Sequence, residues 1–520
     1  MSKNFQRTIP HVAAILVVAV LIGLIILWIQ PAGKFGNAFL STFLLSGLIL
    51  VVLYGIWHEA GGGRQLLWLM ITAFFLRLVL GVFFAWGLPR FGYEEEVQLS
   101  GYFFADAFTR DGYAWQLASS GESLLKAFGN EFMADQYGGL LALSALVYRV
   151  FSPDTHRPLL MVIVSAGAAA AGIPFFLSAA RKRFGSRVAW ISAWILALHP
   201  ESLILGASQM REPFLITLFA ISFWSMLRGL DRQINWKTIA GMVVGVLGLA
   251  LISFRVAIPV LGVLLIWACL EWHSRITQKK SLIIFWVAVG LSLIGIVTAS
   301  WGWLRSAMHW DLVQTYVASG WMQYLFENLP LWVRTPFIII YGIFQPLLPA
   351  AIADPAPWIW RVVGILRGVG WFAILPFLAY TGFRVWKIGD KNKKRLLIWL
   401  IFAVWGWILL ASIRAGGDQW DNPRYRTIFL PWMLIAAAWG IVWAREQKDR
   451  WLGRLLIVEG IFLLFFTHWY LGRYYNIFSK LPFWQMIALI LILSLAVVAG
   501  GWFWDRSQKK KKDQPPEVGQ

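Results

Sequence analysis

Again and again the chain runs for roughly 20 residues almost without charge, the length a helix needs to cross a hydrocarbon core about 30 Å thick. Inside such a core every backbone N–H and C=O must find a partner within the protein, so only helices or closed barrels can cross. The short alternating segments of a barrel are missing, and the runs read as helices. Composition agrees: 59% of residues are hydrophobic and 14% charged, against about 25% charged in soluble domains. The expectation is an all-α, polytopic transmembrane helical bundle of fourteen spans. They are placed at 9–30, 36–57, 65–88, 157–180, 188–206, 209–227, 238–253, 256–272, 281–300, 362–386, 396–413, 427–443, 455–471 and 483–504.

Basic residues recur on alternate loops: Arg181, Lys182, Arg183 and Arg187; Lys391, Lys393, Lys394 and Arg395; Arg445, Lys448, Arg450 and Arg454; then Lys509 to Lys512. The positive-inside rule makes these loops cytoplasmic. A multi-pass protein of the cell membrane with both termini in the cytoplasm follows. The net charge of +20 is explained by that orientation, and no nucleic-acid partner is expected. The first apolar run, after Lys3 and Arg7, lacks a small-residue cleavage site and reads as a retained anchor. Thirty-three Trp suit the interfacial belts of a membrane protein and require no cofactor. The single Cys269 allows no disulfide within the chain.

Against this background, residues 89–137 form a polar interruption on the outward face. It carries Glu94, Glu95, Glu96, Asp106, Asp111, Glu122, Glu131 and Asp135 against only Arg90, Arg110 and Lys126. Two outward stretches, 89–156 and 301–361, are long enough to fold over the surface. Each holds an apolar segment, 138–151 and 336–353, that reads as an interfacial or re-entrant helix. Asp106 and Asp111 diverge in angle if a helix starts near Asp106, so one can serve as a base while the other binds or caps. Equally, both suit helix-starting or solvated loop acids.

Further candidates share that face. Arg211 and Glu212 open a helix in ASQMREPF, where Pro213 belongs in the first turn and the macrodipole favours the acid. Arg255, at the tip of a two-span hairpin, either snorkels to water or clamps a phosphate. In GGDQWDNPRYRTIFLPW, Asp418 and Asp421 read as turn residues, with a divalent-cation site as the minor alternative. Arg424 is a second phosphate-facing cation. Arg77 lies mid-span and must face protein or a cavity. Neither a Ser-His-Asp nor an HExxH arrangement is evident, and no metal or cofactor is expected.

The order of these features resembles the GT-C class of multi-pass glycosyltransferases, the group of protein O-mannosyltransferases and lipid A aminoarabinose transferases. DQYGGLLALSALVYRVFSPDTHRPLL is similar to the class's PPxYxxLxAxxYRxFG segment. RKRFGSRVAWISAWILALHPESLILGASQMREPF resembles its basic loop, hairpin and acidic-Pro-Phe segment, and PRYRTIFLPWMLIAAAWGI its late Arg-Tyr and Pro pattern. Two departures stand out: the loop acids are separated rather than adjacent, and two spans precede the usual first one. The resemblance implies a sugar on a polyprenyl phosphate, transferred with inversion to an acceptor protein, lipid or glycan at an extracytoplasmic site. It implies Asp106, Asp111 or Glu212 as the catalytic acid, and Arg211, Arg255, Arg424, Tyr425 and Tyr137 as substrate- or phosphate-binding groups. The organisation expected is two N-terminal spans (1–64), a GT-C-like core (65–300) with its outward loop 89–156, and a second outward loop (301–361). C-terminal spans (362–504) and a disordered basic tail (505–520) complete it. The rivals are a transporter or lipid flippase, and a polysaccharide polymerase or ligase of another fold.

Overall fold

A computed structural model describes residues 3–129, 132, 138–273, 280–281, 283–287, 289–291, 294, 298, 328–477 and 479–512. All regular elements among them are helical. Ten helices are long and apolar enough to cross a membrane, or up to twelve if each of two bent pairs is one span. The sequence count of fourteen differs for two reasons. Segments 238–253 and 256–272 fall within one helical run, Trp236–His273, and 281–300 is only partly described, at 11 of its 20 residues.

That run is not straight. Ser253 leaves helical geometry (φ −162°, ψ 99°), and the ion pairs show a reversal of direction. Lys237 pairs with Glu59, while Glu271 pairs with Arg183, which also holds Asp231. Both ends of the run therefore lie on one face, and Ser253 turns at the other. Similar pairs stitch the rest of the basic face: Lys182 to Asp231 at 2.5 Å, Arg187 to Glu446 at 3.2 Å, Arg384 to Asp449 at 2.7 Å and Arg454 to Asp505 at 2.6 Å. The last pair sits on a helix that continues to Lys512, past the boundary at 504 where the sequence suggested disorder. Lysine is a good helix former, so the helix has no local reason to stop there.

The helix Leu159–Phe184 is central: 78% of its most apolar window is buried, against 11% for each of the last two spanning helices. Its small residues, AGAAAAG, let neighbours approach closely. At Gly172 an added Cβ would come within 2.5 Å of the Thr217 hydroxyl, and that hydroxyl donates to the Ala168 carbonyl at 2.7 Å.

One bent pair explains the buried Arg77. Helix Ser186–Leu198 stops because Pro200 has no N–H to give Leu196 and forces His199 into an extended conformation (ψ 121°). The chain resumes as Pro200–Gly206, bent by 52°. The Arg77 guanidinium supplies the missing donors, reaching Leu196 O at 3.3 Å, Ala197 O at 3.2 Å and Ser202 Oγ at 2.7 Å. A mid-span charge thus caps a broken helix. The two short apolar segments are helices too brief to cross, Gly139–Phe151 and Leu331–Phe344; the second resumes as Leu348–Ile352 after Pro346. Pro336 lies inside the second helix.

Candidate active site

Helix Ala105–Ser119 begins after the extended Phe104 and carries Asp106 in its first turn, where the N-terminal dipole favours an acid. At 3.6 residues per turn, Asp111 points roughly 140° away. The two carboxylates consequently reach different environments.

Asp111 is buried and fully engaged. Tyr102 Oη and Tyr148 Oη each donate to it at 2.5 Å, and His156 Nε2 lies 2.9 Å from Oδ2. Burial, followed by the charge of Asp111, pushes both phenols well above their ordinary pKa, so they remain donors. His156 is itself stacked on Trp115, with centroids 5.4 Å apart. Asp106, in contrast, has 58% of its side chain exposed and accepts from Arg424 Nη1 at 2.9 Å through Oδ2.

Arg424 ties this exposed acid to a buried one. Its side chain is 6% exposed, with Nε 3.4 Å from Glu212 Oε1 and Nη1 3.3 Å from Asp421 Oδ1. Glu212, at the start of helix Glu212–Leu230, is fully buried, and Arg211 Nε lies 3.7 Å from the same oxygen. Neither Glu212 oxygen makes a hydrogen bond among the described residues. The approach to this corner is constrained. Gln209 adopts φ +56°, a conformation that costs of order 1–3 kcal/mol and needs surrounding support. Arg110 donates to its carbonyl, and its own amide donates to Pro158 O at 2.9 Å.

Beside the acids lies a small half-open pocket of about 40 Å³, lined by Arg211, Arg255, Arg414 and Tyr425 over an apolar floor of Val256, Trp407, Leu410 and Ile428. Arg255 enters from the turn after Ser253. Tyr425 joins the pocket to the acids: Arg414 lies 4.7 Å and Arg424 5.1 Å from its ring centroid, and its hydroxyl donates to Asp421 Oδ2 at 3.1 Å.

The structure thus brings Asp106, Glu212, Arg211, Arg424, Tyr425 and Arg255 to one corner. It sets Asp111 apart in a closed hydrogen-bonded cluster. Tyr137, Glu131 and Asp135 lie outside the described residues. Asp418 Oδ1 accepts from the amides of Trp420 at 2.6 Å and Asp421 at 2.9 Å, as a turn residue does; burial, then the charge of Asp421, raises its pKa. Among the described residues no three His, Cys, Asp or Glu side chains gather as metal ligands.

No family model matches the chain, and no curated protein matches it. Among solved structures, the archaeal oligosaccharyltransferase AglB from Archaeoglobus fulgidus, in complex with an inhibitory peptide and a dolichol-phosphate, aligns at 12% identity with a TM-score of 0.37. The alignment covers 86% of this chain and 56% of that one, so the chain spans a little over half the length of that structure.

Two site cations escaped the sequence reading. Arg414 ends a spanning helix, where a terminal Arg normally reads as a snorkelling anchor. Arg367 lies within a span and grips the buried Glu201 with both Nε (2.6 Å) and Nη2 (2.9 Å), while donating to Trp420 O at 2.9 Å. A spanning Arg calls for a partner, but nothing in the sequence says that the partner is 166 residues away.

Proposed function

We propose that the chain is an integral membrane glycosyltransferase of GT-C type, moving a sugar from a polyprenyl-phosphate carrier to an acceptor protein, lipid or glycan. The supporting observation is the pocket of three guanidinium groups over an apolar floor, joined through Tyr425 and Arg424 to an exposed carboxylate. Phosphate needs the cations, the isoprenoid tail needs the apolar floor, and the acceptor needs a base nearby.

In this reading Asp106 takes the proton of the acceptor hydroxyl or amine as that atom attacks the anomeric carbon. Arg424 occupies Oδ2 and orients the carboxylate, leaving Oδ1 for the acceptor. The bond from the anomeric carbon to the phosphate oxygen breaks from the opposite side, which inverts the centre, and its electron pair stays on the departing phosphate. Arg255, Arg211 and Arg414 stabilise that growing charge. Glu212 holds Arg424 in place. The positive-inside rule puts the reaction on the extracytoplasmic side of the cell membrane.

The test compares cells carrying the wild-type chain with cells carrying Asp106→Asn. Expected is loss of one glycosylated lipid or protein species by mass spectrometry, with accumulation of its polyprenyl-phosphate sugar and unchanged membrane levels of the variant. An unaltered glycan profile would remove Asp106 from the base role. The same profile in cells without the chain would remove the enzyme reading itself.

A further inference from the structure

On the face opposite the proposed site the bundle opens into a cavity of about 1320 Å³. That exceeds the roughly 300–1,000 Å³ of a small-molecule pocket. Its rim carries Arg64, Arg181, Arg228 and Lys237 with the single carboxylate Glu59. Lys237 pairs with Glu59. No described carboxylate lies within ion-pair distance of the other three.

Tryptophan faces hold three of the four cations, Lys237 in addition to its ion pair. Arg181 lies over Trp190 at 5.6 Å, Arg228 over Trp224 at 5.1 Å and Lys237 over Trp236 at 5.8 Å. An aromatic face positions a cation without cancelling its charge. Arg228 Nε is buried and has no hydrogen-bond partner. The rim therefore has an excess of fixed positive charge.

Below the rim the walls turn apolar. Val52 lies seven residues from Glu59, Pro174 seven from Arg181, Ile221 seven from Arg228 and Val244 seven from Lys237. Each of these four wall helices thus lines the cavity for about 10 Å at 1.5 Å per residue. Val52 is 47% and Val244 53% exposed, so the cavity opens sideways toward lipid. A cationic rim over an apolar shaft open to the bilayer matches one kind of molecule, an anionic amphiphile.

We propose that this cavity binds an anionic phospholipid of the surrounding membrane, its phosphate among Arg64, Arg181 and Arg228 and its acyl chains against Val52, Phe175, Ile221 and Val244. Basic pockets between membrane helices recognise lipid headgroups by this chemistry. The size of the cavity favours a two-chain lipid over a single isoprenoid chain.

Delipidated full-length protein in detergent is titrated with phosphatidylglycerol, phosphatidylcholine and a polyprenyl phosphate, with binding read by native mass spectrometry. Phosphatidylglycerol is expected to bind at a discrete stoichiometry and at least about tenfold tighter than phosphatidylcholine, since each cation near a surface contributes. The combined Arg64→Gln, Arg181→Gln and Arg228→Gln variant should lose about a hundredfold. Ala240→Trp, which fills the shaft and keeps every charge, should weaken binding as well. If the triple variant does not fold, Arg64→Gln at the helix start serves alone, with a smaller loss of the same sign. Equal binding of the two phospholipids, or undiminished phosphatidylglycerol binding by the charge variant, overturns the proposal. So does polyprenyl phosphate displacing phosphatidylglycerol from the wild type but not from Ala240→Trp. Because no sugar transfer is measured, the outcome is independent of the enzyme reading.

Discussion

Asp106 and Asp111 share one helix, and everything else about them differs. Asp111 is buried with two tyrosine donors and His156 around it, whereas Asp106 is more than half exposed and holds a single arginine. A carboxylate surrounded by donors organises structure and has little capacity left for a reacting proton. One with a free oxygen facing an open corner can accept a proton from a ligand. The contrast shows that acids in the same loop are separated by what the fold brings to them, not by their order in the chain.

The largest expected effect comes from Arg424→Ala, which leaves the buried Glu212 with only Arg211 at 3.7 Å. Breaking a buried pair on one side costs about 3–5 kcal/mol. Denaturation in micelles should show that loss together with loss of transfer, and a cost below about 1 kcal/mol would mean that Arg424 does not hold the corner together. Next comes the pair that tests the contrast itself. Asp111→Asn removes the charged acceptor of its cluster and should cost about 1.5–3 kcal/mol, while Asp106→Asn should stay within about 0.5 kcal/mol of wild type, as exposed substitutions do. Equal melting shifts for the two would collapse the distinction drawn here.

The smallest effect concerns Asp154, an acid of the same loop region that resembles neither. Hydrogen bonds from Arg157 at 2.7 and 3.0 Å, then from Asn37 at 3.0 Å, hold its carboxyl below the ordinary range. A depressed folded pKa contributes stability above the unfolded value, about 3.9, and that contribution fades as pH falls below it. With a third of the side chain exposed the effect is slight. Thermal melts of Asp154→Asn should lack this acid-dependent part, and parallel acid limbs for variant and wild type would count against it.

Much of the bundle was legible because hydropathy is a local signal: each run from Leu159 or Lys391 announces itself without reference to a partner. The reversal at Ser253 was also legible, as two short spans flanking Arg255. The break at Pro200 is local, but the guanidinium that caps it belongs to a helix more than a hundred residues earlier. The candidate site was legible only as a set of residues. Asp106 and Arg424 are 318 positions apart, and the i, i+5 offset from Asp106 to Asp111 could say that they diverge without saying which would be enclosed.

Arg77 and Arg426 have one more consequence. Both are buried, and their hydrogen bonds go to carbonyl or hydroxyl oxygens: Arg426 to Gln345 O at 2.7 Å with its guanidinium 3.3 Å from the Trp371 centroid, Arg77 to the broken helix. Oxygen dipoles solvate a cation without cancelling it. Ions of the medium screen exposed pairs such as Arg187 and Glu446 within about 10 Å at 0.1 M salt, but they do not reach these two guanidinium groups. The two guanidinium groups therefore keep their charge on fixed oxygen dipoles, a support that changes of ionic strength leave in place.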